Sequence, residues 1–227
     1  MIARELLGTA QVPGGTELRL FRHDRDFMIV MGHNELMSSR MSGSEVALAT
    51  ETIGRLGRRP GQRPDPCLLI GGYGMGFTLR AALAALGPKA ELVVAELVPE
   101  IIAWARGPMA ELAAGCLDDP RVRLLMGDVG TMIDGARGDY DAILLDVDNG
   151  PDGVVREGND GLYTGSGLRA ARRALRPGGV LAVWSAGPDP AFARRLEKNG
   201  FAVDEIRVAA RTNGKGPKHT IWFATPQ

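Results

Sequence analysis

The stretch Cys67-Leu68-Leu69-Ile70-Gly71-Gly72-Tyr73-Gly74-Met75-Gly76 decides the fold. Its first four residues are apolar and read as a short buried strand. Four of the next six are glycine, and residues 77–86, rich in Ala and Leu, read as a helix. Glycine lets the chain turn with positive φ and removes the Cβ that would hold a ligand away from the backbone. A strand that runs through such a turn into a helix start can aim bare main-chain amides at a ligand. A glycine-rich loop alone is also ordinary turn chemistry; its place between strand and helix favours binding.

Working outward, strands and helices alternate. Residues 91–96 read as strand, 99–114 as helix, 122–126 as strand and 142–146 as strand. A helix over 168–175 is stopped by Arg176-Pro177-Gly178-Gly179, since proline and glycine both end helices. Residues 180–185 read as strand and 190–199 as helix. Strands 201–209 and 219–224 close the chain around a turn-rich segment, 212–217. This alternation predicts an α/β protein: a doubly wound, mostly parallel sheet with an antiparallel C-terminal strand. Upstream, residues 18–21 and 27–31 are β-rich runs around the polar turn His23-Asp24-Arg25-Asp26. The expected organisation is a small N-terminal β unit over 1–40, a helix and proline-bearing linker over 41–66, and the main domain over 67–227. Ser42 or Ser44 stands where a helix cap is wanted.

Composition narrows the function classes. Lysine and arginine total 27, as do aspartate and glutamate. A formal charge of zero argues against nucleic acid as partner, because phosphate binding leaves a basic surplus. Two cysteines, Cys67 and Cys116, and three scattered histidines give no metal-ligand spacing, so no metal is expected. No apolar run approaches the length of a membrane span, and residues 1–10 carry no signal-peptide core. The reading is a cytoplasmic protein with no membrane partner.

In open α/β sheets, ligands bind beyond the carboxyl ends of the strands. The first such end carries Gly71, Gly72, Tyr73, Gly74 and Gly76. The second carries Glu96 with Leu97. Glu96 lies 20 residues after Gly76, where an acid can accept from both hydroxyls of a ribose; it also suits the start of the next helix. The third, Gly127-Asp128-Val129, offers a carboxylate and a backbone amide to an adenine edge, or an ordinary turn. The fourth is Asp146-Val147-Asp148-Asn149-Gly150-Pro151-Asp152, a loop of acceptors able to hold a cation or take a proton from an amine. Asp146 stands on the strand end; Asp148, Asn149 and Asp152 stand on the loop.

The sequence resembles the spermidine synthase family, the polyamine aminopropyltransferases, over nearly its whole length. Leu69-Ile70-Gly71-Gly72 is similar to the start of that family's glycine loop. Arg176-Pro177-Gly178-Gly179-Val180-Leu181 is similar to a segment found across S-adenosylmethionine methyltransferases. The resemblance implies a transferase that binds S-adenosylmethionine or its decarboxylated form. Glu96 then takes the ribose, Asp128 the adenine, and Asp146 the attacking amine of a small-molecule acceptor. Glu45, Asp148, Asn149 and Asp152 fall on the acceptor side. Phe21, Phe27, Ile29 and Met31 give more apolar surface than a two-stranded hairpin can hide, and with the resemblance this leads to the expectation of a homodimer formed partly by the N-terminal β unit.

Three positions depart from the family pattern. Gly74 stands where an acid grips the cofactor's amine, Asn149 replaces the second acid of Asp-x-x-Asp, and Gly43 replaces an aromatic beside Ser44-Glu45. Gly74 is expected to leave room for the carboxylate of intact S-adenosylmethionine. A small-molecule methyltransferase and a non-catalytic nucleoside binder are the alternatives. A dinucleotide oxidoreductase fits less well, because Phe77 stands where its fingerprint wants glycine.

Overall fold

The structure is a computed structural model and describes residues 4–57, 64–147, 150–151 and 160–227. Four antiparallel strands open the chain: β1 (Glu5–Gln11), β2 (Glu17–His23), β3 (Asp26–Met31) and β4 (Asn34–Ser38), ordered β1-β2-β3-β4. The expected two-stranded hairpin is their centre. Helix α1 (Gly43–Leu56) follows, then β5 (Cys67–Gly71), α2 (Phe77–Ala85) and β6 (Glu91–Glu96). The expected helix over 99–114 is two pieces, α3 (Pro99–Arg106) and α4 (Ala110–Ala113). They are separated at Gly107-Pro108, where proline has no amide to donate and glycine favours a break.

Next come β7 (Val122–Met126), α5 (Val129–Gly135), β8 (Tyr140–Leu145), α6 (Asp160–Tyr163) and α7 (Gly165–Ala174). The chain ends with β9 (Leu175–Ser185), α8 (Pro190–Lys198), β10 (Phe201–Ala209) and β11 (Lys218–Pro226). Arg176 to Gly179 end the helix as expected, but they already belong to β9. Helix α5 escaped the sequence reading because seven residues with two glycines carry little helical pattern.

The main sheet has the order β10-β11-β9-β8-β5-β6-β7. Strands β9, β8, β5, β6 and β7 are mutually parallel, and β11 runs antiparallel to β9. The chain moves one way from β5 to β6 and β7, then returns across β5 to β8. The strand order therefore reverses between β5 and β8, where such sheets open a ligand crevice. β5 and β8 are buried along their whole length, as a central parallel strand must be.

Two apolar layers cover the faces. One holds Leu48, Leu79, Ile101 and Trp104 with the N-terminal sheet's Leu18, Leu20 and Ile29; the other holds Ile133, Leu168, Phe192 and Trp222. The small sheet thus buries its inner face on its own chain. No helix of the described residues is long and apolar enough to cross a membrane.

Ser42 occupies the N-cap of α1 but makes no side-chain cap bond. The helix start is held instead by Gly43, whose amide donates to Ala210 O at 2.8 Å. A Cβ at Gly43 would sit 2.7 Å from the carbonyl carbon of Arg211 and 2.9 Å from the amide nitrogen of Thr212. The position expected to match an aromatic is therefore closed to any side chain, because backbone occupies the space. Gly43→Ala is expected to lower stability by about 1–3 kcal/mol, read as a reduced urea midpoint; an unchanged midpoint would show that the α1–hairpin junction is loose.

Candidate active site

The crevice at the strand reversal is bounded by the ends of β5, β6, β7 and β8. It is lined by Gly72, Gly74, Glu96, Leu97, Asp128 and Asp146, among others, and encloses about 870 Å³ including its open mouth. Gly127, Val129 and Val147 also line it, and Leu18, Ile29, Leu36 and Met37 of the N-terminal sheet form its far wall. Sequence reasoning had not assigned that sheet a part in the site.

The glycine loop is built by contact with the neighbouring strand ends. Gly72 has φ 86° and its amide donates to Ala95 O at 2.9 Å. A Cβ there would collide with the carbonyl oxygen of Asp146. Asp146 in turn donates its amide to Gly71 O at 3.0 Å. Gly74 has φ 55°, and a Cβ on it would meet Met37 Sδ at 2.8 Å. The space expected to stay open for a carboxylate is therefore filled by a thioether from β4. Gly71 ends β5 inside the sheet, and a Cβ on Gly76 would lie 2.7 Å from the Tyr73 hydroxyl. Tyr73 itself is buried, with its hydroxyl 3.4 Å from Cys116 Sγ; burial raises its pKa.

Glu96 is buried and lines the crevice, but both of its oxygens are engaged with backbone. Tyr73 N donates to Oε2 and Val98 N to Oε1, each at 2.9 Å. Burial raises its pKa, opposed by these amide bonds. The carboxylate so braces the glycine loop and the turn before α3. Asp128 caps α5, with Oδ1 accepting from Gly130 N at 2.6 Å, and it too lines the crevice. For both acids the structural role and the ligand-facing position coexist.

A second cavity of about 870 Å³ adjoins the first, sharing Leu36, Met37, Gly74 and Asp146 with it. Its own lining includes Glu35, Glu45, Phe77, Trp184 and His219. Asp146 Oδ2 accepts from Thr78 Oγ1 at 2.7 Å. Burial pushes Asp146 up to about 6, against the Thr78 bond, and burial with the Asp146 charge pushes Glu45 up to about 8. Ser44 Oγ lies 2.7 Å from Glu45 Oε2 and 2.8 Å from His219 Nδ1. The His219 ring packs edge-on to Trp184 with centroids 4.8 Å apart, and burial lowers its pKa. Both carboxyls are thus more readily protonated than free acids, which suits a cavity that receives a cation.

Thr78, His219 and Trp184 were not singled out in the sequence, and Ser44 was read there only as a helix cap. His219 read as one of three scattered histidines, because its partner Ser44 is 175 residues away. Asp148, Asn149 and Asp152, expected on the acceptor side, lie outside the described residues. Among the described residues, no three His, Cys, Asp or Glu side chains gather as a metal site.

The sheet order and its crevice define an α/β protein of the Rossmann-like methyltransferase class. A family model described as the spermine/spermidine synthase domain matches residues 47–192, and the chain belongs to that family. Among curated relatives, the polyamine aminopropyltransferase of Nitrosomonas europaea is 36% identical over 137 residues, covering 59% of this chain and 40% of that protein. That of Korarchaeum cryptofilum is 31% identical over 126 residues, covering 56% and 37%. Putrescine N-methyltransferase 4 of Nicotiana tabacum is 35% identical over 165 residues, covering 72% and 38%. The chain thus spans two fifths or less of the length of these relatives. Spermidine synthase from Thermotoga maritima shares the fold with a TM-score of 0.72 at 18% identity, covering 98% of this chain and 73% of that one.

The raised Glu45 pKa gives a signed expectation for stability. Between the unfolded value of 4.5 and about 8 the folded state holds more protons than the unfolded one, so stability falls as pH rises through that window. Glu45→Gln removes the ionisation. The variant is expected to lose less melting temperature than the parent between pH 6 and pH 9. Parallel pH profiles for the two proteins would contradict the shift.

Proposed function

We propose that the chain is a transferase that moves an alkyl group, in the first instance aminopropyl, from a sulfonium nucleoside to a small amine. The observation that carries this reading is the junction of the two cavities at Asp146. One cavity has the strand ends and bare backbone that suit a nucleoside; the other is lined by acids and aromatic rings that suit an ammonium group. The family and the aminopropyltransferase relatives support decarboxylated S-adenosylmethionine as the donor.

In this reading Glu96 and Asp128 accept from the nucleoside, Leu97 and Val129 pack near its base, and the loop 71–76 supplies backbone. Thr78 holds Asp146 in place. Asp146 takes the amine proton while the nitrogen lone pair forms the new C–N bond. The C–S bond breaks with its electrons left on sulfur, giving a neutral thioether. Positioning and desolvation carry the rate, so no covalent nucleophile is needed.

A second reading is methyl transfer from intact S-adenosylmethionine, although Met37 fills the space beside Gly74 that its carboxylate would need. No acid stands there to grip a propylamine, and the tobacco relative is named as a methyltransferase. Calorimetric titration with both cofactor forms and methylthioadenosine separates the two. Tighter binding of the decarboxylated form is expected; tighter binding of the intact form would favour methyl transfer, and no binding of any would contradict the proposal.

Removing either nucleoside acid tests the site. Glu96→Ala and Asp128→Ala are each expected to weaken methylthioadenosine binding about 10- to 100-fold, the loss of a charge-assisted hydrogen bond. Parent-like affinity in both would remove them from the site. Asp146→Asn is expected to lower kcat about 100-fold or more with little change in cofactor affinity; unchanged kcat would move the base elsewhere.

We also propose a homodimer through the N-terminal sheet. Both β1 and β4 are edge strands of that sheet, and Leu6 on β1 is 52% exposed. Light scattering at micromolar concentration is expected to give twice the chain mass; a monomer would contradict it.

A further inference from the structure

We propose that His219 and Ser44 form a relay that carries the proton of Glu45 out of the acceptor cavity when a cationic amine enters it. The inference rests on the transferase reading for its purpose, but on hydrogen-bond geometry for its existence.

Ser44 is fully buried and its single hydroxyl proton has two partners, Glu45 Oε2 at 2.7 Å and His219 Nδ1 at 2.8 Å. With that proton engaged in the chain, Ser44 donates to one partner and accepts from the other, so the two bonds run in the same direction. With Glu45 protonated, Glu45 donates to Ser44, Ser44 donates to Nδ1, and the neutral ring carries its proton on Nε2. With Glu45 ionised, the order reverses: Nδ1–H donates to Ser44 and Ser44 donates to the carboxylate. The state of Glu45 and the tautomer of His219 are one switch.

The apposition is fixed by the fold. Ser44 is in the first turn of α1, which Gly43 ties to Ala210 and packs on Arg211 and Thr212, just beyond β10. His219 is the second residue of β11, the partner of β10, and Trp184 packs on its ring. The other titratable groups lining the cavity are Glu35 from β4, Asp146 after β8, and Tyr73, whose hydroxyl faces Cys116.

Proton balance then closes over a cycle. At neutral pH the Glu45–Asp146 pair holds one proton. An ammonium entering the cavity favours two carboxylates, and the Glu45 proton moves to Ser44 as the Ser44 proton moves to Nδ1. The half-buried ring then gives up its Nε2 proton. After one amine proton is surrendered to Asp146 and the C–N bond forms, the pair again holds one proton. The amine's proton leaves Asp146 with the product, and the relay resets when a proton from solvent enters at Nε2, the Nδ1 proton passes to Ser44 and the Ser44 proton returns to Glu45.

Nitrogen NMR on protein labelled with 15N in histidine tests this without turnover. The chain has three histidines, and His219 is assigned by its absence in His219→Asn. The expected result is a neutral ring that passes from the Nε2–H to the Nδ1–H form as pH rises through about 8, the pKa of Glu45, and keeps one form in Glu45→Gln. A tautomer unchanged from pH 7 to 9, or the same transition in Glu45→Gln, would overturn the relay. For its role, His219→Asn can hydrogen-bond Ser44 but cannot pass a proton. It is expected to lower kcat about 10-fold with KM little changed, and added imidazole should restore part of the rate. Parent kinetics in His219→Asn would assign the ring to packing alone and overturn the relay's role in turnover. A parent that alkylates no amine would overturn the transferase reading, while the spectra still decide the switch.

Discussion

The site depends on how closely the ends of β5 and β8 approach each other. The amide of Asp146 is bonded to Gly71, and its carbonyl occupies the space where any side chain at position 72 would begin. Only glycine, with its positive φ, lets the two strand ends meet. That meeting places the backbone lining the first cavity and the carboxylate shared with the second on one junction. Parallel strands buried on both faces hold it, so the carboxylate is set by the sheet and not by a loop.

From that junction the electrostatics follow. Asp146 is drawn into the protein by the strand, and α1 brings Glu45 into the same cavity. Burial raises the pKa of both carboxyls, and for Glu45 the Asp146 charge adds to it. The arrangement costs stability as pH rises through the raised Glu45 range. Glu96 solves the same problem differently: it stays buried by accepting backbone amides, and so fixes the loop that shapes the first crevice.

Much of this was legible from local pattern. The apolar run 67–70 before the glycines, and acids at the ends of three further strands, located the crevice, because strand–loop–helix units place ligand contacts at predictable offsets. What escaped was long-range. Nothing in Gly43 announces that Arg211 packs against it, and nothing in Ser44 announces His219. Gly74 read as an opening; only the three-dimensional path of β4 shows that Met37 fills it. The four-stranded N-terminal sheet was half visible, since β1 and β4 have mixed patterns and draw their stability from the layer beneath. Helix α5 was short, and the helix over 99–114 hid its break in a Gly-Pro pair that the apolar spacing bridged.

The central claim is that one nucleoside binds across the strand ends with its sulfur beside Asp146. A crystal structure with methylthioadenosine tests it most directly. The account predicts the ribose hydroxyls on Glu96, the base beside Asp128 and Val129, and the thioether at the junction of the two cavities near Gly74. A nucleoside bound elsewhere, or one whose sulfur points away from Asp146, would contradict it.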